Sequence, residues 1–334
     1  MVSTVFGSRS GPVVLGVLAL ILLPGCPANL NRVPGSTETI KDPKTEGSYL
    51  VYVPSWHSNE QRWPVVVTCH GTIPWDTADL QLREWRGLAE RVGFIVLAPR
   101  LKGTNGTGLV GREDQLRRQR EDEALIISAV DQALKNLNGD SDRVYMTGWS
   151  GGGLAVYHTG LNNPSVFRAL AVRMGNFDET FLPNIRERLD PYQPVAIFFA
   201  ASDPLLGINI QSRKAADFLE TMGGKRVFPR EIAGGHRRKP EIAFDFFKTV
   251  TEKYSLVRPR AVTGIGENGL GVQFYLQVDP PPQAVFWDFG DGQTAAEPTP
   301  RHYYAVPGRY SAKVTVVTAR GAKTHRELHL DLSR

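Results

Sequence analysis

Two kinds of hydrophobic pattern divide this chain. From about residue 46 to 256, short apolar runs alternate with longer stretches of helical period; from 257 onward only two-residue alternation is left. Pro64–Cys69 and Pro194–Ala201 are continuous apolar runs, as expected of strands covered on both faces. Leu50–Val53, Phe94–Ala98, Arg143–Thr147, Phe167–Val172 and Val227–Ile232 read as further strands. Thr77–Arg91, Arg120–Leu137, Leu154–Leu161, Ile210–Met222 and Pro240–Tyr254 read as helices. Gly223-Gly224 stops the fourth of these, and Pro240 stands in the first turn of the fifth. Residues 101–118, Gly-rich and charged, read as a surface loop. Such alternation predicts an α/β fold: a doubly wound, mostly parallel sheet with its site at the strand C-termini.

In the C-terminal part, Gly271–Val278, Val285–Phe289, Tyr310–Val317 and His325–Leu332 alternate, with turn signals at Pro280-Pro281-Pro282, Gly290-Asp291-Gly292 and Pro307-Gly308. This pattern predicts an all-β sandwich over residues 257–334. At the other end, Arg9 precedes the apolar run Val13–Leu23, too short to span a bilayer comfortably and broken at Pro24 and Gly25. The stretch Leu23-Pro24-Gly25-Cys26 resembles a bacterial lipoprotein signal. That resemblance implies a signal peptide over 1–25, lipid on Cys26, and attachment to a membrane on its extracytoplasmic side. Residues 26–45, polar and Pro-rich, read as a flexible tether.

Composition changes this picture little. The 334 residues suffice for more than one domain. The net charge of +5 is mild and its Lys and Arg are scattered, so no nucleic-acid footprint is present. There are two cysteines, Cys26 and Cys69, and lipid on the first would exclude an intrachain disulfide. Cys69 ends an apolar strand and reads as a small buried residue.

The candidate chemistry centres on Gly148-Trp149-Ser150-Gly151-Gly152, a G-x-S-x-G turn between a strand and a helix. A serine hydroxyl needs a base within hydrogen-bond reach. Of the seven histidines, His57 precedes the core strands and His302, His325 and His329 lie in the C-terminal part. His158 sits two helical turns past Ser150, and His70 begins a turn. His236, in a loop after the last strand, is the candidate base. Asp203, just past the apolar strand Pro194–Ala201, is the candidate acid, with Asp178 as the alternative. Gly151 and Thr72 are the candidate oxyanion-hole N–H donors. Trp75, Trp149 and loop 101–118 are candidates for the substrate cleft. Arg237-Arg238 reads as solvated charge, or as a preference for acidic substrates.

With these residues in hand, residues 46–256 resemble an α/β-hydrolase, nearest the secreted polyhydroxybutyrate-depolymerase and feruloyl-esterase-like carboxylesterases. His70-Gly71, Gly148-Trp149-Ser150-Gly151-Gly152, Ala201-Ser202-Asp203 and Gly235-His236 carry the resemblance. It implies a serine esterase with a Ser150–His236–Asp203 triad, no cofactor, and an ester substrate that can be polymeric. A peptidase of the same fold and an inactive surface-binding lipoprotein are the alternatives. Phe286-Trp287-Asp288-Phe289-Gly290-Asp291-Gly292, with Pro300, His302, Tyr304, Gly308 and Tyr310, resembles the PKD domain. That implies an immunoglobulin-like sandwich with Trp287 and Phe289 inward and Asp288 and Asp291 shaping the turn. Its role is either that of a spacer or of a module binding polysaccharide or protein.

Overall fold

A computed structural model of the chain describes residues 35–104, 111–254, 256–279, 281–317 and 323–333. The signal segment and Cys26 lie outside the described residues. Among the described residues no helix is long and apolar enough to cross a membrane.

The N-terminal part is an eight-stranded sheet. Its strands are β1 (Thr37–Lys41), β2 (Ser48–Tyr52), β3 (Trp63–Cys69), β4 (Ile95–Pro99), β5 (Gly139–Trp149), β6 (Ala169–Arg173), β7 (Val195–Phe199) and β8 (Val227–Glu231). Their spatial order is β1-β2-β4-β3-β5-β6-β7-β8. The β1–β2 and β2–β4 pairs are antiparallel, and every other pair is parallel. The helices are α1 (Ala78–Val92), α2 (Arg112–Asn136), α3 (Gly152–Ala155), α4 (Ile185–Arg188), α5 (Leu206–Thr221) and α6 (Pro240–Lys253).

Strand side chains alternate between two cores, one on each face of the sheet. Val65, Val67 and Cys69 of β3 belong to one core, which Leu125, Ile126, Ala129 and Val130 of α2 and Ala215 and Leu219 of α5 also enter. Val66 points the other way, toward Leu82 and Trp85 of α1 and Phe246, Phe247 and Val250 of α6. Burial on both faces is why these strands are apolar without alternation. Thr77 caps α1 by accepting from Leu80 N–H, and Gly93, with φ of 90°, ends it.

Two expectations are corrected here. The tether drawn over 26–45 overlaps β1, which pairs Ile40 with Tyr49 along the sheet edge. An edge strand buries little, so Thr37–Lys41 shows no hydrophobic signal; its backbone pairing holds it. Loop 101–118 overlaps α2, which begins at Arg112. The buried face of its first turns is polar. Gln115 and Gln119 donate to Gly103 O, and Asp122 accepts from the Lys102 and Gly103 N–H groups. Apolar period cannot register such a face.

The C-terminal part is a sandwich of two antiparallel sheets. It comprises β9 (Leu256–Ile265), β10 (Gly271–Asp279), β11 (Ala284–Asp288), β12 (Thr294–Ala295), β13 (Arg301–Tyr303), β14 (Arg309–Val317) and β15 (Lys323–Asp331). The sheets are ordered β13-β10-β9 and β12-β11-β14-β15. Phe274, Trp287, Phe289, Tyr304 and Val314 fill the space between them. Trp287 and Phe289 are buried as expected. Asp288 accepts from Gly290 N–H at 2.9 Å, while Asp291 accepts from Gln293 N–H and pairs with His302 at 2.7 Å.

Candidate active site

Parallel strands bring their C-termini to one edge of the sheet. There Ser150 follows β5, Asp203 follows β7 and His236 follows β8. Ser150 has φ of 52°, the left-handed region that a non-glycine residue occupies at a cost of about 1–3 kcal/mol. Its backbone is pinned on both sides. Ser150 N–H donates to Arg173 O, and Ser150 O accepts from the Gly153 and Asn176 N–H groups, both at 2.9 Å. The flanking glycines are set by close approach. A Cβ on Gly148 would stand 2.4 Å from Gly152 O, and one on Gly152 would stand 2.4 Å from Cys69 O.

Asp203 and His236 meet. His236 Nδ1 lies 2.7 Å from Asp203 Oδ2, and the carboxylate is wholly buried. Asp203 Oδ1 accepts from Leu205 N–H at 2.8 Å, so an acceptor-only carboxylate faces the ring. This leaves the proton on Nδ1 and makes Nε2 the acceptor. Nε2 is buried and has no hydrogen-bond partner among the described residues, the Ser150 hydroxyl included. Trp149, adjacent to Ser150, lies against the His236 ring at 4.6 Å between centroids. Asp178 is occupied elsewhere, accepting from Thr180 N–H and Oγ1 at the start of a short 3-10 turn.

Gly151 and Thr72 are neighbours across the turn. A Cβ on Gly151 would stand 3.1 Å from Thr72 N and 2.3 Å from Thr104 O. The turn carrying Thr72 is held from beneath. Asp76 Oδ2 accepts from Gly71 N–H and Gln81 Nε2, each at 2.7 Å. His70 is a turn residue: Nδ1 faces Gly71 O at 2.8 Å and Nε2 accepts from Leu101 N–H at 2.9 Å. Burial holds its imidazole below the ordinary histidine range, against the Gly71 carbonyl and Asp76, which favour the charged form. The Cys69 thiol is fully buried and pushed well up by desolvation, which leaves no thiolate at neutral pH. His158 faces Phe181 O and Glu123, away from Ser150.

Arg238 corrects the reading of Arg237-Arg238 as a solvated or substrate-facing pair. Its guanidinium bonds Asp76 Oδ1, Glu84 Oε1 and Trp75 O, each at 3.1 Å, and lies 4.7 Å from the Trp149 ring centre. The carboxylate that steadies the Thr72 turn therefore also holds the histidine loop. Arg173 adds a second tie. Wholly buried at the end of β6, it donates to Arg238 O at 2.6 Å, Gln81 Oε1 at 2.8 Å and Thr147 Oγ1 at 3.1 Å. Burial without a carboxylate partner lowers its guanidinium to about 10, so it is still charged at neutral pH. Asp76 and Arg173 were missed in the sequence. Burial of a charge leaves no periodic trace, although Asp76 four residues after Thr72 was open to question as a turn residue. Trp149 is buried and packs on His236 and Arg238; Trp75 is 74% exposed.

Residues 83–195 match the model of the prolyl oligopeptidase family, and residues 261–330 match that of the PKD domain. A ferulic acid esterase, AmCE1/Fae1A from the anaerobic fungus Anaeromyces mucronatus, shares the sheet architecture. It superposes with a TM-score of 0.52 at 16% identity, over 65% of this chain and 89% of that one. The N-terminal part is an α/β-hydrolase fold. A PKD domain follows it. The bifunctional acetylxylan esterase/xylanase XynS20E of Neocallimastix patriciarum is 28% identical over 165 residues, 48% of this chain. This chain spans about a fifth of that relative's length, 22%. The PKD1 domain of the Vibrio cholerae metalloprotease PrtV is 26% identical, covering 23% of this chain and 95% of that domain, with a TM-score of 0.21.

Proposed function

We propose that this protein is a serine esterase, with Ser150, His236 and Asp203 as its triad. The observation that carries the reading is His236. Its Nδ1 is committed to a buried carboxylate, and its Nε2 is buried, unpartnered and turned into the acceptor state beside a strained serine elbow. In the proposed cycle, Nε2 takes the Ser150 proton as Oγ attacks the ester carbonyl carbon. The Gly151 and Thr72 N–H groups hold the oxyanion. His236 protonates the leaving alkoxide, and the acyl group stays on Ser150. Water, deprotonated by the same nitrogen, then releases the acid and restores the serine. Asp203 fixes the tautomer and stabilises the imidazolium. No step requires a cofactor.

The acetylxylan esterase named in the similar relative supports a substrate bearing small acyl groups on a polymer. We further propose that Cys26 carries lipid and that the enzyme works from a membrane on its extracytoplasmic side. Loss of membrane attachment in Cys26→Ser, with esterase activity kept in the soluble fraction, would support this. Unchanged attachment would oppose it.

A peptidase is the second reading, favoured by the prolyl oligopeptidase match over residues 83–195. Steady-state kinetics on p-nitrophenyl acetate and on a proline p-nitroanilide separate the two. The esterase reading expects turnover of the ester and none of the anilide; the reverse result sinks it.

A further inference from the structure

The strand β10 turns Val272 and Phe274 into the sandwich core and Gln273 and Tyr275 outward. Directly opposed residues of paired strands share a face. Tyr275 stands opposite Arg260 of β9, and Gln273 stands between Val262 of β9 and Arg301 of β13. Tyr303 stands opposite Gly271, where the missing side chain leaves room for its ring; a Cβ there would lie 2.7 Å from Tyr303 Cε1. The outer face of this sheet therefore carries two tyrosine–arginine units. Tyr275, Tyr303 and Val262 are each about half exposed, at 48%, 51% and 52%.

Hydrogen bonds within the domain fix this face. Gln273 Nε2 donates to Thr299 O at 2.9 Å and to Pro300 O at 3.1 Å, which fixes its amide. Its Oε1 then accepts from Arg301 Nε at 3.2 Å and aims that guanidinium. Among the described residues, neither Arg260 nor Arg301 has a carboxylate within 4.0 Å. Arg258, further along β9, is committed to Asp142 of the hydrolase part.

We propose that this face of the PKD domain binds an acidic polysaccharide. Tyrosine rings stack on the apolar faces of sugar rings, and the guanidinium forks pair with uronate carboxylates. The positions of Gly271 and Tyr275 are four residues apart on β10, about 14 Å along the strand at ~3.4 Å per residue. That span suits an extended chain of several sugars rather than a single one. Charge density argues against a nucleic acid. A duplex presents about one phosphate per 1.7 Å, so two arginines over about 14 Å would leave most of its charge unmatched. A polymer with sparse carboxylates matches two cations and two rings. The face lies outside the Ser150 site, and binding does not depend on the triad.

Affinity electrophoresis of the full chain in gels containing polygalacturonate tests this, with neutral xylan, a single-stranded DNA oligomer and phosphatidylglycerol vesicles as the other probes. The expected result is retardation by polygalacturonate, weaker for each of the others. Both Tyr275→Ala/Tyr303→Ala and Arg260→Gln/Arg301→Gln should weaken binding about tenfold. Their melting temperatures and their turnover of a soluble ester should match the parent. Absence of retardation overturns the proposal. So does equal retention by DNA or vesicles, or unchanged binding in the tyrosine double variant, since charge alone would then account for it.

Discussion

At the scale of single residues, the site depends on a few side chains with no freedom left. Ser150 sits at φ of 52°, so Ser150→Gly should abolish turnover yet keep stability within about 1 kcal/mol, because glycine relieves the strain it loses in entropy. A loss of several kcal/mol in denaturant melts would contradict a strained elbow. Asp203→Asn leaves Nδ1 facing an amide that can also present N–H, and kcat should fall by about four orders of magnitude; Asp178→Asn should stay near the parent. Equal losses in the two variants would reopen the choice of acid. Much of this was legible. The serine announced itself by its glycines, Asp203 by following an apolar strand, and His236 by elimination among the histidines. What the sequence hid was the work of buried charge. Arg238 looks like any exposed arginine in its string of basic residues; only the folded chain puts it against Asp76, Glu84 and Trp149.

Among elements, loops from distant parts of the chain are tied at the sheet edge. Arg238, a quarter exposed, faces Asp76, whose side chain is wholly buried. Removing Arg238 takes the paired guanidinium from that buried carboxylate, at a cost of about 3 kcal/mol. Arg238→Met should therefore lower both stability and kcat, and adding Asp76→Asn should recover stability but not the full rate. Equal stability of Arg238→Met and the parent in urea melts would show that the tie carries no load. Elements were read best where burial was apolar. β3, β7 and α1 came within a residue or two of their bounds, because continuous or periodic apolar runs dictate them. β1 and the first turns of α2 escaped, one an edge strand held by backbone and the other buried through glutamines and an aspartate.

In the whole molecule, the hydrolase part and the PKD domain are joined by polar contacts. Asp190 pairs with Arg326 at 3.2 Å and with His325 at 3.3 Å, and Arg226 donates to Thr324 Oγ1 at 3.2 Å. Burial pushes His325 below its ordinary range, against the pull of Asp190 and with the push of Arg326. A histidine depressed in the folded state binds its proton more readily when unfolded. Its contribution is therefore complete above about pH 6.5 and is lost as the pH falls below that value. Calorimetry should show the PKD transition moving to lower temperature on acidification from pH 7 to 5, and His325→Gln should flatten that dependence. An unchanged slope in the variant would assign the effect to other groups. The change of hydrophobic period near 257 falls where α6 gives way to β9, with only two residues between them, while the polar contacts of this seam left no such trace.

If Ser150 is the nucleophile, a covalent serine reagent must capture it. Purified chain would be treated with a fluorophosphonate and the labelled peptide located by mass spectrometry, alongside Ser150→Ala and His236→Ala. A single adduct on Ser150 is expected, absent from Ser150→Ala and strongly slowed in His236→Ala. A folded parent protein that takes no label, or one labelled at another residue, would contradict it.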